Sequence, residues 1–150
     1  MIITNKKSER GNALLEFALG FAVLWAVFAG LYQFGYSFYV YNALMTSVAD
    51  AAQLGAKMTY NTGNTSQFTG AVTNMVVYGT TTPANGANPI VPGLSSSNVS
   101  LNLNLRNSIP TYVTLSISNF TVDCLFTRFT FNGKPRATAV YMGQITCSSC

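Results

Sequence analysis

Four carboxylates and three thiols are the side chains of this chain that could carry chemistry: Glu9, Glu16, Asp50, Asp123, Cys124, Cys147 and Cys150. Histidine is absent, which removes every His-dependent triad, His general base and His metal ligand. No two acids are close in sequence. A paired-carboxylate site would need Asp50 and Asp123 to meet across the fold, and nothing in the pattern predicts that they do. Cys147-Ser148-Ser149-Cys150 is a CxxC, the spacing of redox and zinc half-sites. One further thiol and no histidine leave a structural zinc site short of ligands. A redox pair would normally open a helix, whereas this one stands at the end of the sequence. The alternative is a disulfide from Cys124 to either Cys147 or Cys150, in an oxidising compartment, pinning the terminal segment to a strand. The expectation is therefore no enzyme, no cofactor, no metal and no small-molecule substrate.

Glu16 poses a different question. Phe17 to Ala49 carries no charged residue, and between Ala13 and Leu31 Glu16 is the one strongly polar side chain. About 20 apolar residues span the hydrocarbon core as a helix, so residues of about 13–36 predict a transmembrane segment. Tyr32, Tyr36, Tyr39 and Tyr41, with Phe34 and Phe38, follow it as an interfacial aromatic belt. Lys6, Lys7 and Arg10 precede it and account for much of the net charge of +4. That cluster predicts an N-terminus in the cytoplasm and an exported remainder, rather than a nucleic-acid surface.

An acid inside such a span costs about 3 kcal/mol or more at the centre. Two readings accommodate it. As a bland one, Glu16 snorkels back to the interface, one turn away. As a sharper one, a peptidase cuts after Gly11. Asn12 then carries the new α-amino group one helical turn from Glu16, and the two charges are opposite. A carboxylate in the first turn also complements the helix dipole, and in an assembly it could neutralise a neighbour's terminal amine and set the stagger between subunits. Ala49-Asp50-Ala51 would suit a signal peptidase, but the apolar run far exceeds the 7–15 residues of a signal core.

Arg10-Gly11-Asn12-Ala13-Leu14-Leu15-Glu16-Phe17-Ala18 resembles the processing site of type IV pilin-like proteins, in the form of the TadE-like minor pseudopilins of tight-adherence pili. The resemblance continues through Gln33-Phe34-Gly35, Tyr39-Val40-Tyr41-Asn42-Ala43-Leu44 and Ala51-Ala52-Gln53-Leu54-Gly55-Ala56. Val76-Val77-Tyr78-Gly79 and Pro92-Gly93-Leu94 extend it weakly. Gln33 stands where family members often carry an acid, and Asp50 where a basic residue is frequent. The resemblance implies cleavage between Gly11 and Asn12 by a prepilin peptidase, a step that can be followed by methylation of the new amine. It also implies a place in the bacterial inner membrane with a periplasmic C-terminal domain, or in a surface pilus. Implied partners are other pilin-like subunits and the assembly platform of a pilus or related secretion machine. The competing class is an uncleaved single-pass membrane protein whose exported domain binds an envelope partner.

These residues require an element to carry them. Helical spacing continues through Leu44, Val48, Ala51, Ala52 and Gly55, and no proline occurs before Pro83. Residues 12–58 predict one long helix following a cytoplasmic leader over 1–11. Ala18, Ala22, Ala26 and Gly30 form a small-residue stripe for close helix contact, unless alanine is merely common in such a span. Residues 59–150 predict an exported α+β domain. Phe68, Ala71, Val72, Met75 and Val76 mark a short helix after Asn64-Thr65-Ser66. "GTTTPANGANPIVPGLSSS" is a loop or connector. From Val99 to Arg106 and from Val113 to Ser118 the period is two. Phe120 to Phe131 predicts a third strand, with Cys124 facing inward beside Val122 and Phe126. Asn132-Gly133 predicts a turn, and "ATAVYMGQI" a fourth strand. The fold class is α+β, pilin-like: a long helix, transmembrane in its inner half, packed on a small antiparallel sheet.

Overall fold

The computed structural model describes residues 7–124 and 126–146, with backbone alone for 7–10 and 145–146. Helix α1 (Lys7–Lys57) runs unbroken for 51 residues, about 77 Å at the helical rise. No proline interrupts it and its β-branched residues are isolated, so the glycines at 11, 20, 30, 35 and 55 are the main local cost it carries. It begins before the expected start and carries straight through Gly11. Lys57 sits in the last turn, where a cation complements the carbonyl end.

The two halves of α1 meet different surroundings. Every residue from Gly11 to Phe28 is exposed. From Ala29 onward one face is covered: Ala29, Gln33, Val40, Leu44, Val48, Ala51 and Ala52 are buried. These positions share one helical stripe, the pattern of a helix packed along one side.

After α1 come β1 (Tyr60–Asn61), α2 (Thr65–Tyr78), a short 3-10 turn (Ser96–Asn98), β2 (Val99–Arg106), β3 (Ile109–Ile117), β4 (Phe120–Asp123), β5 (Arg128–Phe131), β6 (Arg136–Val140) and β7 (Ile145–Thr146). α2 buries Phe68, Val72, Val76 and Val77. Gly79 ends it in the left-handed conformation, φ 71°, with its N–H donating to the Met75 carbonyl at 3.0 Å. The expected Asn64 cap does not form: its side chain instead accepts from the Ser66 hydroxyl at 2.7 Å.

The strands form a three-stranded antiparallel sheet in the order β2-β3-β6, an antiparallel β4-β5 pair and a parallel β1-β7 pair. Leu101 lies opposite Leu115 and Leu103 opposite Val113. Asn107 and Ser108, both at positive φ (52° and 62°), make the two-residue turn between β2 and β3, the geometry that matches strand twist. β3 is central. Val113, Leu115 and Ile117 are wholly buried, and Leu44 and Val48 of α1 and Val72 and Val76 of α2 join them in one core. Two helices thus cover one face of a small sheet, the α+β arrangement expected.

Two expectations about strands are corrected. The run from Phe120 to Phe131 is a hairpin, because pairing of Phe120 with Phe131 and of Asp123 with Arg128 folds it back on itself. Val122 is consequently buried and Cys124 half-buried, while Phe126, beyond the strand end, is 66% exposed. The expected fourth strand divides. β6 joins β3, whereas β7 crosses to the end of α1 and pairs with β1.

Candidate membrane anchor and processing site

Between Gly11 and Lys57 α1 is apolar enough to cross a membrane, with a mean hydropathy of 2.1 in its most apolar stretch. The rest of the chain leaves that stretch almost uncovered. Leu14, Leu15, Phe17, Leu19, Phe21 and Trp25 are all more than half exposed, far more contiguous apolar surface than water tolerates on a monomer. A Phe17–Phe21–Trp25 ladder runs up one side, with ring centroids 6.3 and 6.4 Å apart. Among the described residues, this is the one helix of its kind.

Glu16 is exposed on this apolar surface. The helix neighbours three and four residues away are Asn12, Ala13, Leu19 and Gly20, so its own helix supplies no cation within a turn. Gly11 is also exposed, and a Cβ built there would meet nothing within 4 Å. Glycine in a helix interior costs about 1 kcal/mol relative to alanine, and no packing contact requires it at this position. Gly20, Gly30 and Gly35 share that openness. The Gly11–Asn12 bond lies within helical backbone, one turn inside the start of α1.

Ala18, Ala22 and Ala26 are exposed and Gly30 is half-buried. Ala18, Ala22 and Ala26 thus stand clear of the rest of the described fold, and the cover of α1 begins beside the end of their stripe, at Ala29. Cys124 lies next to α1, its Sγ 3.4 Å from the Ser37 hydroxyl. Cys147 and Cys150 lie outside the described residues. The chain approaches them through Thr146, paired with Asn61 beyond the far end of α1. Ser37 and Lys57 are about 30 Å apart along the helix.

Sequence reasoning missed two polar residues that hold the domain to α1. Gln33 is buried at 9% exposure. Its side-chain carbonyl accepts from the Phe126 N–H at 3.1 Å, and its amide donates to the Thr127 hydroxyl. Ser37, one turn on, donates to the Gln33 carbonyl at 2.8 Å. The available signal was Gln33 itself, a polar residue between aromatic ones at the end of an apolar run. At the opposite end of α1, the Tyr141 hydroxyl receives the Tyr60 N–H at 3.0 Å and lies 2.8 Å from the Met58 and Gln144 carbonyls. Burial raises the Tyr141 pKa, with the Tyr60 backbone bond opposing.

An α+β domain built on the outer half of one long helix, whose inner half is apolar and uncovered, has the form of a domain carried on a membrane anchor. The family model of TadE-like proteins matches residues 11–53, the stretch on which the sequence resemblance rests. No curated protein and no solved structure matches the chain.

Proposed function

We propose that this protein is a minor pilin-like subunit that takes part in assembling a tight-adherence pilus, after a prepilin peptidase cuts between Gly11 and Asn12. The observation that carries the proposal is where the TadE-like match begins, at Gly11, next to an acid that its own helix leaves without a cation. In this reading the N-terminus faces the cytoplasm and the α+β domain the periplasm, with the small-residue stripe Ala18, Ala22, Ala26 and Gly30 available to neighbouring helices. Cleavage gives Asn12 a positive terminus one turn from Glu16. In an assembly Glu16 then meets a terminal amine, its own or a neighbour's, and the cost of a carboxylate in lipid is offset. Other pilin-like subunits and the assembly platform are the partners.

A disulfide from Cys124 to Cys147 or Cys150 belongs to the same proposal. It would require β7 to leave β1, given where Thr146 stands, and non-reducing peptide mapping decides it.

One observation favours the uncleaved alternative: α1 is continuous through the bond to be cut, so a peptidase must first unwind a turn. Intact mass and N-terminal sequencing of the protein from its native membrane separate the two. A chain beginning at Asn12 in the wild type, and at Met1 after Gly11→Leu with loss of pilus display, is the expected result. A wild-type chain beginning at Met1, or normal pili from the Gly11→Leu variant, would sink the proposal.

A further inference from the structure

We propose that the turn after β4 is a second membrane contact: Phe126 and Phe129 insert at the headgroup–acyl boundary on the C-terminal side of the span, seating the domain on the bilayer. This rests on α1 being the membrane anchor. Counted from Ala13, about 20 residues reach across a hydrocarbon core of about 30 Å and end near Tyr32. The domain begins to cover α1 at Ala29, inside the last turn of that run. At Gln33 the covering residues are Phe126 and Thr127, held by both ends of the Gln33 amide. The lowest part of the domain is therefore fixed at the level where the lipid chains end.

What stands at that level is apolar. Phe126 is 66% exposed, and Phe34 and Phe38 on α1 are 64% and 66% exposed. Beside them an apolar recess of about 320 Å³ is lined by Phe34, Ser37, Phe38, Tyr41, Phe129 and Phe131. This surface continues directly from the lipid-facing side chains Leu31 and Tyr32. Water would leave these rings unfavourably hydrated, whereas aromatic rings concentrate at the bilayer interface. The nearest charges cancel: Asp123 and Arg128 form an ion pair of 2.6 Å. Nothing here demands an anionic headgroup, so acyl-chain depth rather than lipid charge governs the contact.

Tryptophan quenching in nanodiscs tests this, because Trp25 is the sole tryptophan of the chain. The full chain is assembled at one copy per disc in phosphatidylcholine brominated either near the headgroup or near the acyl-chain ends. Trp25 in the wild type reports the anchor, and W25F/F126W reports the turn, with W25F/F129W as an independent second reporter. The expected result is that Trp25 loses most emission to bromine near the chain ends, and both turn reporters lose most emission to bromine near the headgroup. A W25F/Y112W chain, whose reporter lies beside the Thr111–Tyr141 contact at the far end of α1, should lose none. Quenched Trp25 with unquenched turn reporters overturns the proposal and leaves the anchor standing. Turn reporters that become shielded only when two copies share a disc assign the patch to a second subunit and overturn it as well. Unquenched Trp25 removes the anchor, and the proposal falls with it.

Discussion

Tyr141 shows how much one hydroxyl holds. It accepts the Tyr60 N–H and can donate to the carbonyl of Met58 or Gln144, so it ties together the end of α1, β1 and the approach to β7. Gly143 stands beside it, and a Cβ there would strike the Met58 carbonyl oxygen, which leaves glycine as the residue that lets the chain pass. Tyr141→Phe keeps the ring, and the Tyr60 N–H still donates to the Gln144 carbonyl at 2.9 Å; what is lost is the hydroxyl's own bonding, about 0.5–1.5 kcal/mol by denaturant unfolding in detergent. The pH dependence has a definite sign. Desolvation raises the folded-state pKa of Tyr141 above the ordinary value of 10.0, so the unfolded chain releases this proton first. The contribution is whole below that ordinary value and is lost as pH climbs past it. The stability gap between wild type and Tyr141→Phe should therefore be constant near neutrality and shrink in strongly alkaline buffer. A gap that widens there would mean Tyr141 is not held neutral by the fold. None of this was legible in the sequence, because Tyr141 lies within a run of strand character and two of its partners, Tyr60 and Met58, are 81 and 83 residues away.

At the scale of elements, period carried far and pairing did not. The outer half of α1, α2 and the alternation of β2 and β3 follow from spacing alone, since a helix stripe and a strand face are local properties. The β4-β5 hairpin reads as one strand because no Asn-Gly or proline marks its turn, and residues Phe120 to Phe131 are rich in aromatic and β-branched side chains on both sides of it. What positions the hairpin is Gln33, a long-range partner 93 residues from Phe126. Gln33→Leu keeps the size but leaves the Phe126 N–H without its acceptor, at about 1–3 kcal/mol. Because the damage is confined to one docking point, amide exchange should accelerate at Phe126 while β2 and β3 stay protected. Uniform acceleration across both sheets would instead make Gln33 part of the global core.

The whole molecule is not a domain hung from a helix. Val40, Leu44, Val48, Ala51 and Ala52 of α1 share one core with Val72, Val113 and Leu115, so the outer half of α1 folds together with residues 59–146. Two consequences follow. Signal-peptidase cleavage at the Ala49-Asp50-Ala51 site would strip Val40, Leu44 and Val48 from the core, whereas cleavage after Gly11 removes nothing that the described fold uses. Truncation separates the same two parts. A chain starting at Ala29 keeps every buried residue of α1 and should unfold cooperatively in mild detergent with dispersed amide NMR signals. A chain starting at Thr59 loses one wall of the core, a deficit of many Leu→Ala equivalents at about 2–5 kcal/mol each, against a total stability of only about 5–15 kcal/mol. It should be collapsed and unstructured. Cooperative unfolding from Thr59 onward would show that α2 and the sheet form a core of their own, with α1 a tether rather than a structural element.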